Sequence, residues 1–453
     1  MPLRGISARW RSLGLRGNWW ILAPLVLALI WPAACHRPHR PPVPGAKSLY
    51  KGSAPGPGAG AKDPALQVYD SEHPCLNAGQ MFRAEQVLFD GFARGDTQRW
   101  MDAINRAFYE HKADCGDDDF LVLVLSTIQM ESGVRVDPPL AETDLEALFD
   151  RRVEQIAGEN PIAAGLISMA TVDGELRAKL RRDTTRGRVR TERDLARYLD
   201  GDLRPWLRDY VSRTYLLPDS VAAKAEARWL PDPVRTIGPM QVNAFKAFRN
   251  AKARGESFDS PDEMRGALLD PGTALERGIG EGVALLLKSY RVYRDGLDTH
   301  DAVYFSGADY NAGEFSCRNA ALQAMLARIT GRTVSLDGDL LSYQDNEPTE
   351  QPSRTELAVR AALPALTAVQ IRKDLLQEKE AAFSDTPVAR GICGAYEATT
   401  KQACPAARIP TGAGNPKADL KLGRTYTPEN YARGLFARYQ RNRVQYEGVE
   451  AGL

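Results

Sequence analysis

The stretch FLVLVLSTIQM, residues 120–130, decides the fold class. Written on a helix, it is apolar on every side, and such a segment is buried all round rather than laid on a surface. A helix hidden on all sides needs neighbours on all sides, and the flanking sequence supplies them. Residues 78–93 and 96–113 carry amphipathic spacing, and 271–294, 299–311 and 354–383 also read as helices. Ser260-Pro261-Asp262-Glu263 forms a capping box with Pro at the first helical position, and Thr427-Pro428-Glu429 opens a late helix in the same way. Strand signals are sparse: RTVSL (332–336) and pieces near 386–410. The expectation is a mainly α protein, a helical globule with small β additions.

Working outward, the amino terminus reads as an export signal. Arg4, Arg9, Arg11 and Arg16 precede a mostly apolar run from Trp19 to Ala34, and Ala33-Ala34 stand before Cys35. A basic start, a short apolar run and small residues before a cut site are the marks of a signal peptide. The cysteine directly after the small residues resembles a bacterial lipobox, which implies a diacylated Cys35 and a membrane anchor made of more than one acyl chain. Position 36 is His rather than Asp, which favours the periplasmic face of the outer membrane. Residues 36–67 are rich in Pro, Gly and Ala without periodic apolar positions, so they read as a tether spanning roughly 30 Å.

Composition narrows the function. The 453 residues carry 59 Lys+Arg and 58 Asp+Glu. Without the signal peptide, 55 basic residues face 58 acidic ones, which argues against a nucleic-acid partner recruited by net charge. The five His never cluster at ligand spacing, so no His-built metal site is expected. No stretch reaches the roughly 18 apolar residues of a membrane span. Five Cys follow Cys35, and an oxidising compartment permits disulfides. Cys393 and Cys404 are close in sequence across turn-like residues, and Cys75 and Cys115 bracket two helices. We pair them so, which leaves Cys317 as a buried thiol.

Three short motifs carry chemistry. Glu131-Ser132-Gly133 ends the buried helix, with Val124, Thr127 and Ile128 on the face of Glu131. Desolvation there favours a protonated carboxyl, the form that a glycosidase uses to protonate a leaving-group oxygen. Gly238-Pro239-Met240-Gln241-Val242-Asn243 sets a tight turn followed by amides suited to sugar hydroxyl and N-acetyl groups. Ala308-Asp309-Tyr310-Asn311-Ala312-Gly313 presents a phenol and an amide at a helix end. Each alone is an ordinary helix end or cap. Their order is far more specific than any one of them.

That ordered set resembles the soluble-lytic-transglycosylase group of lysozyme-like proteins, and LLDPGTALERGIGEGVALL (268–286) is similar to the helix between its second and third motifs. The likeness covers roughly residues 115–132 and 235–325. Pro239 stands where the family usually has Leu. The step from Glu131 to Gly238 is 107 positions, far longer than in typical members, which implies an insertion at about 135–235. The implied organisation is a signal peptide (1–35), the tether (36–67), a lysozyme-like catalytic domain (68–345) carrying the insertion, and a C-terminal helical extension packed on the core (346–453). The resemblance implies Glu131 as the single acid and base, cleaving the bond between N-acetylmuramic acid and N-acetylglucosamine with closure of a 1,6-anhydro ring. Ser132 would orient Glu131 or the glycan, Met240, Gln241 and Asn243 would line the cleft floor, Tyr310 would hydrogen-bond near the Glu131 carboxyl, and Asn311 would hold the loop. Peptidoglycan strands are the implied partner, and no metal or cofactor is implied.

Two other readings stay open. A hydrolytic muramidase would need a second carboxylate to activate water, with Asp137 and Asp309 as candidates. A non-catalytic cell-wall-binding lipoprotein would need no general acid. The basic run RAKLRRDTTRGRVR (177–190) is either a solvated face or a contact for an anionic polymer beside the cleft.

Overall fold

The computed structural model describes residues 75–140, 145–147, 149–150, 171–187, 189–215, 218, 220, 236–344, 347–411 and 427–451. The residues read as signal peptide (with Cys35) and tether, Arg188 and much of the expected insertion lie outside the described residues. Among the described residues, no helix is long and apolar enough to cross a membrane.

The protein is mainly α. The helices are α1 (Ala78–Leu88), α2 (Thr97–Glu110), α3 (Asp118–Ser132), α4 (Thr171–Thr185), α5 (Glu192–Tyr198) and α6 (Arg204–Tyr215), the last two joined by a π turn (Leu199–Leu203). The hairpin β1 (Thr236–Ile237) and β2 (Val242–Asn243) follows, then α7 (Ala244–Ala253), α8 (Pro261–Leu269), α9 (Ala274–Gly296), α10 (Thr299–Ala312) and α11 (Ser316–Thr330). A second small hairpin, β3 (Tyr343–Gln344) and β4 (Glu347–Pro348), precedes α12 (Arg354–Ala362), α13 (Ala368–Leu375), α14 (Pro387–Thr400) and α15 (Pro428–Ala451).

The helix that decides the fold class is α3. Asp117 caps it by accepting from the Phe120 N–H at 2.9 Å, and Asp118 and Asp119 place negative charge at its positive end. Leu121 to Leu125 and Ile128 are wholly buried. Gly133 closes it in the left-handed region at φ +60°, where a side chain would be strained. Against α3 lie α1, α10 and α15, with α9 reaching it too. Two apolar clusters result. The larger unites α1–α3, the insertion helices, α7–α10 and α15, and the smaller joins α11 to residues 334–341 and α12–α14. The C-terminal extension is therefore divided: α15 belongs to the larger cluster and α12–α14 to the smaller.

Three local expectations are corrected. The helix expected over 354–383 breaks at Leu363, whose φ −124° and ψ 65° leave the helical region, because Pro364 excludes that region for the residue before it. Thr367 restarts the chain with a capping box into α13. No strand forms at 332–336, and the region near 386–410 holds α14 instead, started by the Thr386 cap and by Pro387 at the first helical position. Disulfides join Cys75 to Cys115 and Cys393 to Cys404, and Cys317 is a buried free thiol.

Candidate active site

Glu131 stands half-buried in the last turn of α3, and the Tyr431 hydroxyl of α15 donates to its Oε1. This bond is one of a series. At the start of α3, Tyr446 donates to Asp118 at 3.0 Å and Tyr439 to Asp119 at 2.6 Å. Midway, the Asn442 amide donates to Ser126 at 2.8 Å and to Gln129 at 3.0 Å. The late residues of α15 thus meet the early residues of α3, and Tyr431, near the start of α15, meets Glu131 at the other end. The two helices run antiparallel. Tyr431, Leu435, Tyr439, Asn442 and Tyr446 share one helical stripe, and all are buried. Polar pairs inside an apolar contact are costly to leave unmade, so they hold the two helices in one register.

The Gly238–Gln241 turn joins β1 to β2, which pair Thr236 with Asn243 and Ile237 with Val242. Gly238 lies at φ +80° and Gln241 at φ +53°, so the turn has two left-handed residues. It sits on α9 through two glycines one helical turn apart. A Cβ on Gly278 would lie 2.5 Å from Pro239 Cδ, and one on Gly282 would lie 2.5 Å from Met240 Sδ. Met240 is therefore fully buried: the side chain expected on the cleft floor wedges the turn onto α9 from below. The side chain of Gln241 is aimed by Glu192, a buried residue in the first turn of α5. Glu192 Oε1 accepts from Gln241 Nε2 at 2.8 Å, and Oε2 accepts from the Gly238 N–H at 3.1 Å. Asn243 spends its side chain on capping α7, accepting from the Lys246 N–H at 3.1 Å, so it too differs from the expected cleft contact.

Tyr310 ties the motifs together. Its hydroxyl donates to the Met240 carbonyl, and burial, then the negative charge of nearby Glu131, pushes the phenol well above its ordinary range. A phenol so shifted keeps its proton and remains a donor. All three motifs thus meet: Glu131 and Tyr310 are electrostatic neighbours, and Tyr310 holds the Met240 backbone. Asn311 follows, half-buried, in the same last turn of α10. Ser132 departs from its expected role, because its hydroxyl donates to the Ile128 carbonyl at 3.0 Å and accepts from the Arg135 N–H at 3.3 Å, finishing the helix end.

The two carboxylates considered as water activators are otherwise engaged. Asp309 is buried, accepting from the Cys317 N–H at 2.7 Å and the Tyr293 hydroxyl at 2.8 Å, and burial raises it to about 6. Asp137 accepts from the Arg193 backbone N–H at 3.2 Å and pairs with the Arg193 guanidinium at 3.5 Å. Among the described residues, the grouping of possible metal ligands is Cys393, Glu397 and Cys404, and its two sulfurs are bonded to each other.

Residues 94–443 match the family described as protein of unknown function (DUF1615), a span of well over half the chain. The chain belongs to the DUF1615 family. It is also 28% identical over 291 residues to the uncharacterized protein YaiW of Escherichia coli (strain K12), a match that covers 63% of this chain and 70% of that protein. No solved structure matches. The DUF1615 span contains all three motifs, Glu192 and Tyr431, and neither match links the chain to lytic transglycosylases.

Two residues of the candidate site escaped the sequence reading. Glu192 lies in no motif, and its one signal is the helix start Thr191-Glu192-Arg193-Asp194. Tyr431 lay in a late helix with no motif, and its one signal was the aromatic recurrence Tyr431, Tyr439, Tyr446. The basic run 177–190 is paired locally. Arg177 and Arg181 pair with Glu146 at 3.0 and 2.6 Å, and Lys179 and Arg186 pair with Asp183 at 2.8 and 3.7 Å. Much of the basic run is thereby neutralised within the insertion, which weakens the case for a cationic polymer contact.

Proposed function

We propose that this DUF1615 protein is a peptidoglycan lytic transglycosylase with Glu131 as its single acid and base, built on a lysozyme-like core. The observation that carries the reading is the convergence of Glu131, Tyr310 and the Gly238–Gln241 turn from positions up to 179 residues apart in the chain. Protonated Glu131 would give its proton to the glycosidic oxygen as the C1–O bond breaks, releasing the N-acetylglucosamine side with a new hydroxyl. The muramic N-acetyl oxygen would hold the developing charge at C1, which removes the need for a second carboxylate. The C6 oxygen would then bond to C1 and pass its proton back to the Glu131 carboxylate, closing the anhydro ring. Gln241, its amide hydrogens held by Glu192 and the Gly238 carbonyl, would meet a sugar hydroxyl only as an acceptor through Oε1.

The hydrolytic reading is disfavoured because both candidate second carboxylates, Asp137 and Asp309, are already bonded within the protein. The apolar amino-terminal run and Cys35 support a location at the periplasmic face of the outer membrane, where a lipid anchor and tether would bring the catalytic domain to the wall. Mass spectrometry of muropeptides released from purified sacculi tests it. Anhydro-muramic ends are expected, reducing ends would favour a muramidase, and no release would favour a binding protein.

A further inference from the structure

We infer that Tyr431, from the C-terminal helix α15, is the positioning residue of Glu131, so that α15 is a working part of the site rather than an outer layer. The inference rests on the reading of Glu131 as the acid and base. Its first ground is the hydrogen bond from the Tyr431 hydroxyl to Glu131 Oε1. The second is that the motif tyrosine does not fill this role: the Tyr310 proton goes to the Met240 carbonyl. The third is rigidity. Tyr431 is buried, and the bonds from Tyr439, Asn442 and Tyr446 to Asp119, Ser126, Gln129 and Asp118 fix α15 lengthwise along α3.

A phenol bonded to one carboxyl oxygen does two things. It fixes the rotation of the carboxyl about its last bond. It also fills Oε1 with a donated hydrogen, which favours placing the acidic proton of neutral Glu131 on Oε2. In the second half of the cycle the same phenol stabilises the carboxylate, because a hydrogen bond to the charged form favours that form. Tyr431 keeps its own proton throughout and acts through Glu131.

The test compares Tyr431→Phe with Glu131→Gln and Tyr310→Phe in the full chain. The infrared band of protonated carboxyl groups, taken as wild type minus Glu131→Gln, isolates the titration of Glu131 without any turnover. Tyr431→Phe is expected to move that midpoint, and the alkaline limb of the rate profile on sacculi, to higher pH by about one unit, with kcat/KM down about tenfold. Tyr310→Phe is expected to leave the midpoint closer to wild type. Site-specific 3,5-difluorotyrosine at 431, a more acidic donor, is expected to move it the other way, and it serves if the phenylalanine variant does not fold. A midpoint unmoved by either change at 431 overturns the inference. Wild type that releases no glycan, or Glu131→Gln that releases it normally, overturns the function instead, and the infrared midpoint still reports on Tyr431.

Discussion

Replacing Gly282 by Ala adds one methyl group where the Gly238–Gln241 turn meets α9, and the structure sets the terms of the outcome. The new Cβ would lie 2.5 Å from Met240 Sδ and 2.6 Å from Met240 Cβ. Contact with a Cβ cannot be relieved by rotating a flexible side-chain end, so the turn itself must lift. Overpacking of this kind costs about 1–3 kcal/mol. The lifted Met240 carbonyl also moves away from the Tyr310 hydroxyl, a bond worth about 1 kcal/mol. Against these stands the helix preference of Ala over Gly, about 0.8–1 kcal/mol. The net expectation is destabilisation by about 1–3 kcal/mol, with loss of glycan cleavage because Gln241 rides on the same turn. Gly280→Ala is the matched control. It lies on the same helix, and its Cβ would meet only His111 Nε2, at 3.8 Å, an ordinary contact. It should gain the helix preference and suffer no clash. Denaturant unfolding midpoints of the two variants, each against wild type, check the difference, and sacculus digestion checks the activity. If Gly282→Ala proves as stable and active as Gly280→Ala, the glycine seat is not what positions the turn.

Glu131→Gln keeps the shape of the side chain but cannot carry the proton, so cleavage of sacculi should fall by at least ~10²–10⁴-fold with an unchanged melting curve; wild-type turnover would sink the assignment. Glu192→Gln puts an amide where two donors now converge, and the lost charge-assisted bonds should cost about 1.5–3 kcal/mol and raise KM for glycan, read by denaturant unfolding and digestion kinetics. Asp309 is raised to about 6 from an ordinary 3.8, so the folded state holds its proton longer than the unfolded chain, and stability should fall as pH rises from about 4 to about 6. Asp309→Asn should flatten that fall in urea titrations across the interval, and identical pH curves would refute the role given to its burial. Cys35→Ser should move the protein from the membrane fraction to the soluble periplasm or leave the precursor uncut; continued sedimentation with membranes would place the anchor elsewhere.

Much of this architecture is legible in one dimension. The run at 120–130 announced α3, because a segment apolar on every side can satisfy its backbone and bury its surface only as a helix enclosed by others. The starts at Ser260 and Thr427 were readable for a related reason: caps and Pro act within a few residues of where they stand. Where the local signals conflicted, the reading failed. Pro364 was overridden by the periodicity around it, and α14 was hidden by turn-like residues and cysteines although Val388 and Ile392 sit one turn apart on its buried face.

The ordered triplet of motifs also came from sequence, but the roles inside it did not. The residue types at 131, 132, 240, 241, 243 and 310 suggest several partners each, and the sequence alone does not choose among them. Packing chose. It turned Ser132 back to the Ile128 carbonyl, spent Asn243 on a cap, buried Met240 in a glycine seat and sent the Tyr310 proton to a backbone carbonyl. It also brought in Glu192 and Tyr431, the latter 300 positions from the carboxyl that it holds. Periodicity and capping are local, so the chain determined by itself which segments are helices and which faces are apolar. A hydrogen bond between distant helices depends on their register, and register is set by the sum of every contact along both. Only the tertiary structure, by laying α15 antiparallel on α3, decided which tyrosine meets Glu131.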